Sequence, residues 1–196
     1  MEDIPHKWSL VDANTKPYEI IFTDFEGPMP IPGYDGSRYF VTFLDACTKE
    51  SEVFMMKYKS EVPYCYRRYK AMKEKPEDGR VIRRLHSDGA AEYLAHNFQE
   101  ELALDGTKFS YSTAYSQQQN GAAERLNRTL LDKAWPLLLG CSLSEDFWPE
   151  AVKYANYIRN MSPESTLSTM TPYQAVTGRI PDIGHLWRWG CDVWYR

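Results

Sequence analysis

The sequence contains no long hydrophobic run and no segment typical of a membrane protein. None of its apolar runs approaches the roughly 18 residues of a membrane span, and its first residues show no signal-peptide pattern. The four cysteines, Cys47, Cys65, Cys141 and Cys191, are widely scattered, with no Cys-x-x-Cys pair and no histidine at zinc-finger spacing. We therefore expect an intracellular protein without a membrane partner, whose cysteines are reduced and bind no metal.

The chain also lacks a positive net charge and a recognisable catalytic nucleophile. Its formal net charge of −4 argues weakly against simple non-specific binding of nucleic acid. The charge is uneven, because residues 57–84 contain ten lysines and arginines but only four acids. This segment is either the solvated face of a helix and turn or a surface that contacts phosphates. No Ser/His/Asp or Cys/His arrangement indicates covalent catalysis.

The order of apolar patterns in the 196 residues is typical of one mixed α/β domain. The patterns predict strands over 18–24, 38–45, 51–59, 80–88 and 106–112, and helices over 61–75, 94–104, from about 120, 144–160 and within 168–181. The first three strands predict an antiparallel meander, and the alternation that follows predicts a mixed sheet with helices on both faces. Met72 is expected on the buried face of its helix, and Pro136 is expected to bend or end the long helix.

Acidic residues stand at the ends of two predicted strands and near the start of a helix. Asp24 ends the first strand, Asp88 ends the fourth, and Glu124 follows the polar loop 113–119. If the two strands are neighbours, both aspartates emerge at one edge of the sheet, and the loop lets Glu124 reach that edge. Three carboxylates would repel one another, and their oxygens suit Mg²⁺ or Mn²⁺. Alternatively, the aspartates are only turn formers.

Short motifs surround all three acids, and further motifs follow them. They are TDFEGP at 23–28, GSRYFVTFLDACTKE at 36–50, LHSDGAAEY at 85–93, YSQQQNGAAERLNRTLLD at 115–132, FWPEAVKYANYIRNMSP at 147–163, TPYQAVTGRIP at 171–181 and HLWRWGC at 185–191. In combination they resemble the catalytic core of LTR-retrotransposon integrases, most closely those of copia-type elements, over roughly residues 17–196. Gly89 and Ala90 stand where the family has Asn and Gly, and Ser116 stands where Pro is common.

The resemblance implies a ribonuclease H-like α/β fold, a mixed five-stranded sheet with helices on both faces. It implies that Asp24, Asp88 and Glu124 are catalytic and hold two divalent ions, Mg²⁺ or Mn²⁺, with Asp24 bridging them. The implied enzyme is a polynucleotidyl transferase and endonuclease that processes the 3′ ends of element cDNA and inserts it into host DNA. The implied partners are both DNAs and further copies of the chain, in the nucleus and in a cytoplasmic particle.

Polar residues near Glu124 are candidates for DNA binding. They are Gln117, Gln118 and Asn120 in the loop, and Asn127 and Arg128 on the helix face that Glu124 shares. The loop could equally be a solvated turn. The alternative for the two helix residues is capping or an ion pair with Glu124.

His86, Trp187, Trp189 and Trp194 are assigned structural roles, the tryptophans packing the C-terminal segment instead of stacking on bases. The predicted organisation is an N-terminal tail or arm (1–16), the integrase core (17–165) and a C-terminal extension packed on the core (166–196). The zinc-binding module that precedes the family's core is not present in this sequence, so we expect an excised core or a truncated element.

Two other functions remain open at this stage. A related nuclease would hydrolyse RNA in RNA–DNA hybrids. A catalytically silent or domesticated core would act as a binding or assembly module, which the altered residues after Asp88 and the net negative charge would both suit.

Overall fold

Five strands pair into one mixed sheet in a computed structural model that describes residues 11–12, 14–112 and 121–192. The strands are β1 (Ile20–Glu26), β2 (Tyr39–Asp45), β3 (Ser51–Met56), β4 (Arg84–Ser87) and β5 (Lys108–Tyr111). The helices of the described ranges are α1 (Val62–Lys73), α2 (Ala91–Leu94), α3 (His96–Leu104), α4 (Gly121–Leu139), α5 (Trp148–Met161) and α6 (Pro172–Thr177). None of these helices is long and apolar enough to cross a membrane.

The sheet has the order β3-β2-β1-β4-β5. β1, β2 and β3 form an antiparallel meander, whereas β4 pairs parallel with β1 and with β5. This confirms the predicted mixed sheet. It also places β1, which contains Asp24, beside β4, which directly precedes Asp88, at the centre of the sheet.

Alternating side chains of β1 build two apolar cores, one on each face of the sheet. Ile21 joins the core under α1, α2 and α3, together with Val41, Phe43, Tyr66, Tyr69 and Phe98. Ile20 and Phe22 join the core under α4 and α5, together with Phe40, Leu126, Leu130, Ala134 and Trp148. The helices on both faces agree with the prediction, and α6 packs against α5.

The expectation for Met72 is wrong, and of the two outcomes expected at Pro136 the helix does not end there. Met72 is 50% exposed, because at about 100° per residue it lies roughly 80° from the buried stripe centred on Val62, Tyr66 and Tyr69. α4 continues through Pro136 to Leu139, so the proline does not end it. Near the end of a helix a missing N–H removes only one bond, and the carbonyl of Pro136 still accepts from the N–H of Gly140.

Three of the ten lysines and arginines in the basic segment 57–84 form ion pairs within the described protein. Its ion pairs join Arg67 to Glu101 at 2.8 Å, Lys70 to Asp105 at 3.0 Å, and Lys73 to Glu50 at 2.9 Å and Glu52 at 2.8 Å. These contacts tie α1 to α3 and to the β2–β3 region. They give Arg67, Lys70 and Lys73 a structural role, and the two interpretations stay open for the other cations of the segment.

Candidate metal and nucleic-acid site

The pairing of β1 with β4 aligns Asp24 with Asp88. Ile20 and Phe22 lie opposite Arg84 and His86, so two residues further along the same register position 24 lies opposite position 88. β1 runs on to Glu26, which means that Asp24 lies within the strand and not at its end as predicted. Asp88 directly follows β4, as predicted.

Asp24 is held by bonds from two elements. The backbone N–H of Phe25 donates to Oδ1 at 2.9 Å, and the amide Nδ2 of Asn127 donates to Oδ2 at 3.1 Å. The hydroxyl of Thr42, the β2 residue opposite Asp24, donates to Oδ1 of Asn127 at 2.7 Å. Thr42 therefore fixes the amide that orients Asp24. Sequence reasoning missed it, although a polar residue inside the apolar run RYFVTFLD was a usable signal.

The electrostatics of Asp24 show a shortage of positive charge. Burial first, and then the negative charge of Asp88, raise the pKa of Asp24 from 3.8 to about 7. Glu124 and Glu26 raise this pKa further, while the N–H of Phe25 opposes them. Asp88 and Glu124 therefore both lie within electrostatic reach of Asp24.

The described acids do not form a complete set of metal ligands. There, no group of three or more His, Cys, Asp or Glu side chains lies close enough to hold one metal ion. Asp88 is exposed, and its Oδ1 accepts from the N–H of Ala90 at 3.0 Å. Glu124 is exposed in the first turn of α4. An open set of carboxylate oxygens still fits Mg²⁺, which usually keeps several waters and takes only one or two carboxylates.

The residue after Asp88 adopts a backbone conformation that explains its identity. Gly89 has φ +84°, in the left-handed region that Gly populates freely and Asn tolerates better than most residues. A Cβ at this position would lie 2.9 Å from the ring of Tyr111. A residue without a Cβ therefore suits the turn that presents Asp88.

The predicted DNA-binding residues fall into two groups. Gln117, Gln118 and Asn120 lie outside the described residues. Asn127 is only 1% exposed and is bonded to Thr42 and Asp24, so a direct phosphate contact would require its amide to leave both partners. Arg128 is exposed and makes no ion pair with Glu124 or with any other acid in the ranges described.

His86 has a structural environment, as expected. It is buried, and its ring nitrogens bond to the hydroxyls of Ser110 at 2.9 Å and Ser112 at 3.1 Å. Burial, followed by the charge of Arg84, lowers the pKa of His86 from 6.5 to about 4. The ring is therefore neutral at physiological pH.

The tryptophans of the C-terminal segment differ in whether their rings pack against the protein. Trp189 packs on Tyr154, with ring centroids 5.0 Å apart, as expected. Trp187 is 77% exposed, so the expectation that it packs is wrong. Its backbone carbonyl accepts from the hydroxyl of Tyr154, while the ring itself faces solvent. Trp194 lies outside the described residues.

The fold is that of retroviral integrase catalytic cores. The HTLV-2 integrase catalytic core in complex with magnesium (trimeric form) matches with a TM-score of 0.61 and 18% identity, over 81% of this chain and 96% of that one. A chain of the simian T-cell lymphotropic virus intasome in complex with the PP2A regulatory subunit B56 gamma matches with a TM-score of 0.67 and 16% identity, over 87% of this chain and 59% of that one. These likenesses confirm the predicted ribonuclease H-like fold.

Sequence relatives identify the group more closely. The Retrovirus-related Pol polyprotein from transposon TNT 1-94 of Nicotiana tabacum is 34% identical over 173 residues, 88% of this chain. The corresponding polyprotein from transposon RE1 of Arabidopsis thaliana is 29% identical over 188 residues, 96% of this chain. The chain belongs with the Pol polyproteins of copia-type retrotransposons, and it spans 13% and 12% of the length of these two. No family model matches it.

Proposed function

We propose that this chain is the catalytic core of a retrotransposon integrase that transfers DNA strands with Mg²⁺ or Mn²⁺. The observation that supports this most directly is the alignment of Asp24 with Asp88 on neighbouring parallel strands. The raised pKa of Asp24 adds the electrostatic argument, since the acids carry more negative charge than the site can balance. Processing of the 3′ ends of the element cDNA belongs to the same proposal.

The oxygens of Asp24, Asp88 and Glu124 would hold the metal. A divalent cation bound there polarises a phosphate and lowers the pKa of the attacking water or 3′-hydroxyl. Asn127 and the N–H of Phe25 each occupy one oxygen of Asp24 and so fix the plane of its carboxylate. In this proposal Asn127 positions Asp24 and does not touch DNA.

The exposed residues around Glu124 would hold the DNA. Arg128 is one turn further along α4 than Glu124, and its guanidinium pairs with no acid among the described residues. It is therefore available to a phosphate next to the reacting one. Gln117, Gln118 and Asn120 are proposed to contact the DNA end from the loop that precedes α4. The DNA partners are element ends and target DNA, and the cellular locations proposed are the nucleus and a cytoplasmic particle.

A strand-transfer assay with matched variants tests the assignment. Asp88→Asn and Glu124→Gln should abolish joining of a labelled element-end oligonucleotide to target DNA in Mg²⁺ or Mn²⁺, with unchanged circular dichroism. Asp78→Asn and Glu77→Gln make the same chemical changes at exposed positions on the turn after α1 and should retain activity. Full activity in the first two variants would refute the roles given to these acids. Activity on RNA–DNA hybrids instead of duplex DNA would assign the site to the related nuclease.

A silent binding or assembly module is the second candidate. The observation that favours it is that no three acids within the described residues are close enough to hold a metal together. Calorimetry with Mn²⁺ separates the two candidates. Binding at or below about millimolar Mn²⁺ that Asp88→Asn abolishes supports the enzyme, and no binding supports the silent module.

Self-association is also part of the proposal. The HTLV-2 integrase catalytic core is described in dimeric and trimeric forms. Light scattering coupled to size-exclusion chromatography should detect more than one copy of the chain per particle at micromolar concentration. A monomer throughout that range would remove self-association from the proposal.

A further inference from the structure

A basic pocket lies between α4, the end of α5 and the turn that joins β2 to β3. Its volume is about 340 Å³, within the range of about 300–1,000 Å³ that is usual for small-molecule sites. Its lining from α4 is centred on Ala122, Thr129 and Lys133. At about 100° per residue, these three lie about 140–180° around the helix from Glu124. The pocket is therefore separate from the acidic site.

The charged lining of the pocket is strongly basic, although the whole chain has a net charge of −4. It consists of four cations and a single acid: Lys49, Arg125, Lys133, Arg159 and Glu164. Arg125 and Lys133 are exposed on the rim, and neither makes an ion pair with an acid in the described part of the chain. The pocket therefore contains more positive charge than its own acid can balance.

The other two cations are half-buried in the wall of the pocket and are held by carbonyls. Arg159 donates from Nη1 to the carbonyl of Lys49 at 2.7 Å, and Lys49 donates from Nζ to the carbonyl of Ala46 at 2.6 Å. Burial lowers the pKa of both cations, although the charge of Glu164 acts on both in the opposite direction. A further negative charge in the pocket would therefore stabilise them.

Lys49 reaches the pocket from a strained backbone conformation. Its φ is +60°, in the left-handed region that residues with a Cβ seldom adopt. Asp45 holds the turn in this shape, since its buried carboxylate accepts from the N–H of Thr48 at 2.8 Å and from the hydroxyl of Thr48 at 2.6 Å. Strained residues of this kind concentrate at ligand sites. The backbone thus indicates a binding role for Lys49 independently of its charge.

The chemistry of the lining suits linked phosphate groups. Its three hydroxyls already donate within the protein: Thr129 to the carbonyl of Arg125, Ser162 to the carbonyl of Ile158, and Thr166 to the carboxylate of Glu164. The side-chain donors left for a ligand are those of the cations, which favour several acceptor oxygens with negative charge. The described lining contains no aromatic side chain on which a base could stack.

We propose that this pocket binds a small oligophosphate, a soluble ligand with two or three linked phosphate groups. Arg125 and Lys133 contact the phosphate oxygens from the rim, while Lys49 and Arg159 attract them from the wall. The bound ligand joins α4 to the end of α5 and to the β2–β3 turn, so it stabilises the fold. The inference does not depend on the proposed function, because the pocket is separate from the acidic site.

Titration calorimetry with sodium tripolyphosphate tests the proposal, in buffer freed of metal ions by a chelating resin. Wild type should bind with a Kd of about 1 mM or below. Arg125→Gln/Lys133→Gln should bind at least about tenfold more weakly, because two charged contacts are lost. A hundredfold excess of tripolyphosphate over its Kd should raise the melting temperature of wild type by about 5 °C or more.

The matched control is Arg83→Gln/Lys108→Gln, which removes the same charge outside the pocket. Both residues are exposed, Arg83 directly before β4 and Lys108 at the start of β5, and neither lines the pocket. The control should bind tripolyphosphate within about twofold of wild type, since distant exposed charges are screened. Equal losses in the two double variants, or no binding by wild type at millimolar tripolyphosphate, would overturn the proposal.

Two further ligands identify what the pocket recognises. ATP presents three linked phosphates on a nucleoside, and equal affinities for ATP and tripolyphosphate would show that the pocket binds the phosphate chain of either. Weaker binding of ATP would assign the pocket to free inorganic oligophosphates. Citrate carries three negative charges on carboxylates, and citrate binding as tight as that of tripolyphosphate would overturn the assignment to phosphate.

The outcome for this pocket is distinguishable from that for the acidic site. If strand transfer is absent but tripolyphosphate binds wild type and not Arg125→Gln/Lys133→Gln, the oligophosphate proposal stands and the enzymatic one fails. If the same substitutions weaken binding of a DNA duplex and tripolyphosphate binds neither protein, the two cations serve nucleic acid and the oligophosphate proposal is wrong.

Discussion

Replacing Asp88 by Asn should stabilise the protein in the absence of metal. After burial, the negative charge of Asp88 is the largest cause of the raised pKa of Asp24. Removing the charge of Asp88 relieves its repulsion with Asp24, which no cation offsets in the metal-free protein. The turn at Asp88 should survive, because an Asn side-chain oxygen can still accept from the N–H of Ala90.

The size of the effect follows from the pKa of Asp24. A carboxyl whose pKa rises from 3.8 to about 7 on folding costs up to about 4 kcal/mol of stability at higher pH, at about 1.4 kcal/mol per pH unit. The folded state binds the proton more tightly, so this contribution to stability is fully present below pH 3.8 and is lost as the pH rises to about 7. Asp88 is exposed and screened, so its share is on the order of 1 kcal/mol, or about 2–4 °C in melting temperature.

Thermal unfolding in EDTA at pH 5 and pH 8 measures this effect. Asp88→Asn should raise the melting temperature at pH 8, and by less at pH 5, where Asp24 is largely protonated. Asp78→Asn, which removes one exposed carboxylate from the turn after α1, should change it little at either pH. A gain in Asp88→Asn that is no larger than in this control, or that does not depend on pH, would refute the electrostatic coupling of the two aspartates.

Three further predictions concern the surroundings of the site. Asn127→Ala should lower the free energy of unfolding in urea by about 1–3 kcal/mol, because Thr42 loses its shorter hydrogen bond and Asp24 loses a donor. A loss below about 0.5 kcal/mol would contradict this. His86 should stay neutral down to about pH 5 in proton NMR, since its folded pKa is about 4. Its contribution to stability is present above pH 6.5 and is lost as the pH falls towards 4. Titration near 6.5 would contradict its burial. Gly89→Ala should cost about 1 kcal/mol or more in thermal unfolding because of its positive φ. Gly89→Asn should cost less, and equal losses would argue against strain at that position.

The placement of the acids shows which parts of the site a sequence pattern can predict. Acids at the ends of two predicted strands indicated that Asp24 and Asp88 would meet if β1 lay next to β4, and the parallel pairing of these strands meets that condition. The end of β1 was misplaced because its last residues are fixed by pairing with β2, as Phe25 lies opposite Val41 and Glu26 opposite Phe40. That pairing is a tertiary contact, and the local pattern around Asp24 contains no sign of it.

The burial of Asn127 and the grouping of Lys49, Arg125 and Arg159 around one pocket could be seen only in the structure. The helical period placed Asn127 on the polar face of α4, yet it is buried because Thr42, 85 positions away in sequence, bonds to it. Lys49, Arg125 and Arg159 come from a turn and two helices that meet only in the folded chain. Such clusters depend on how α4 and α5 pack on the sheet, and this packing leaves no repeating pattern in any one segment.

A crystal soaked in Mn²⁺ and measured at the manganese absorption edge tests the central claim most directly. We predict an anomalous difference peak within coordinating distance of carboxylate oxygens of Asp24 and Asp88, with Glu124 as a further ligand and with the peak lost in Asp88→Asn. Manganese bound only elsewhere on the protein, or no peak in wild type at millimolar Mn²⁺, would contradict the assignment of this site.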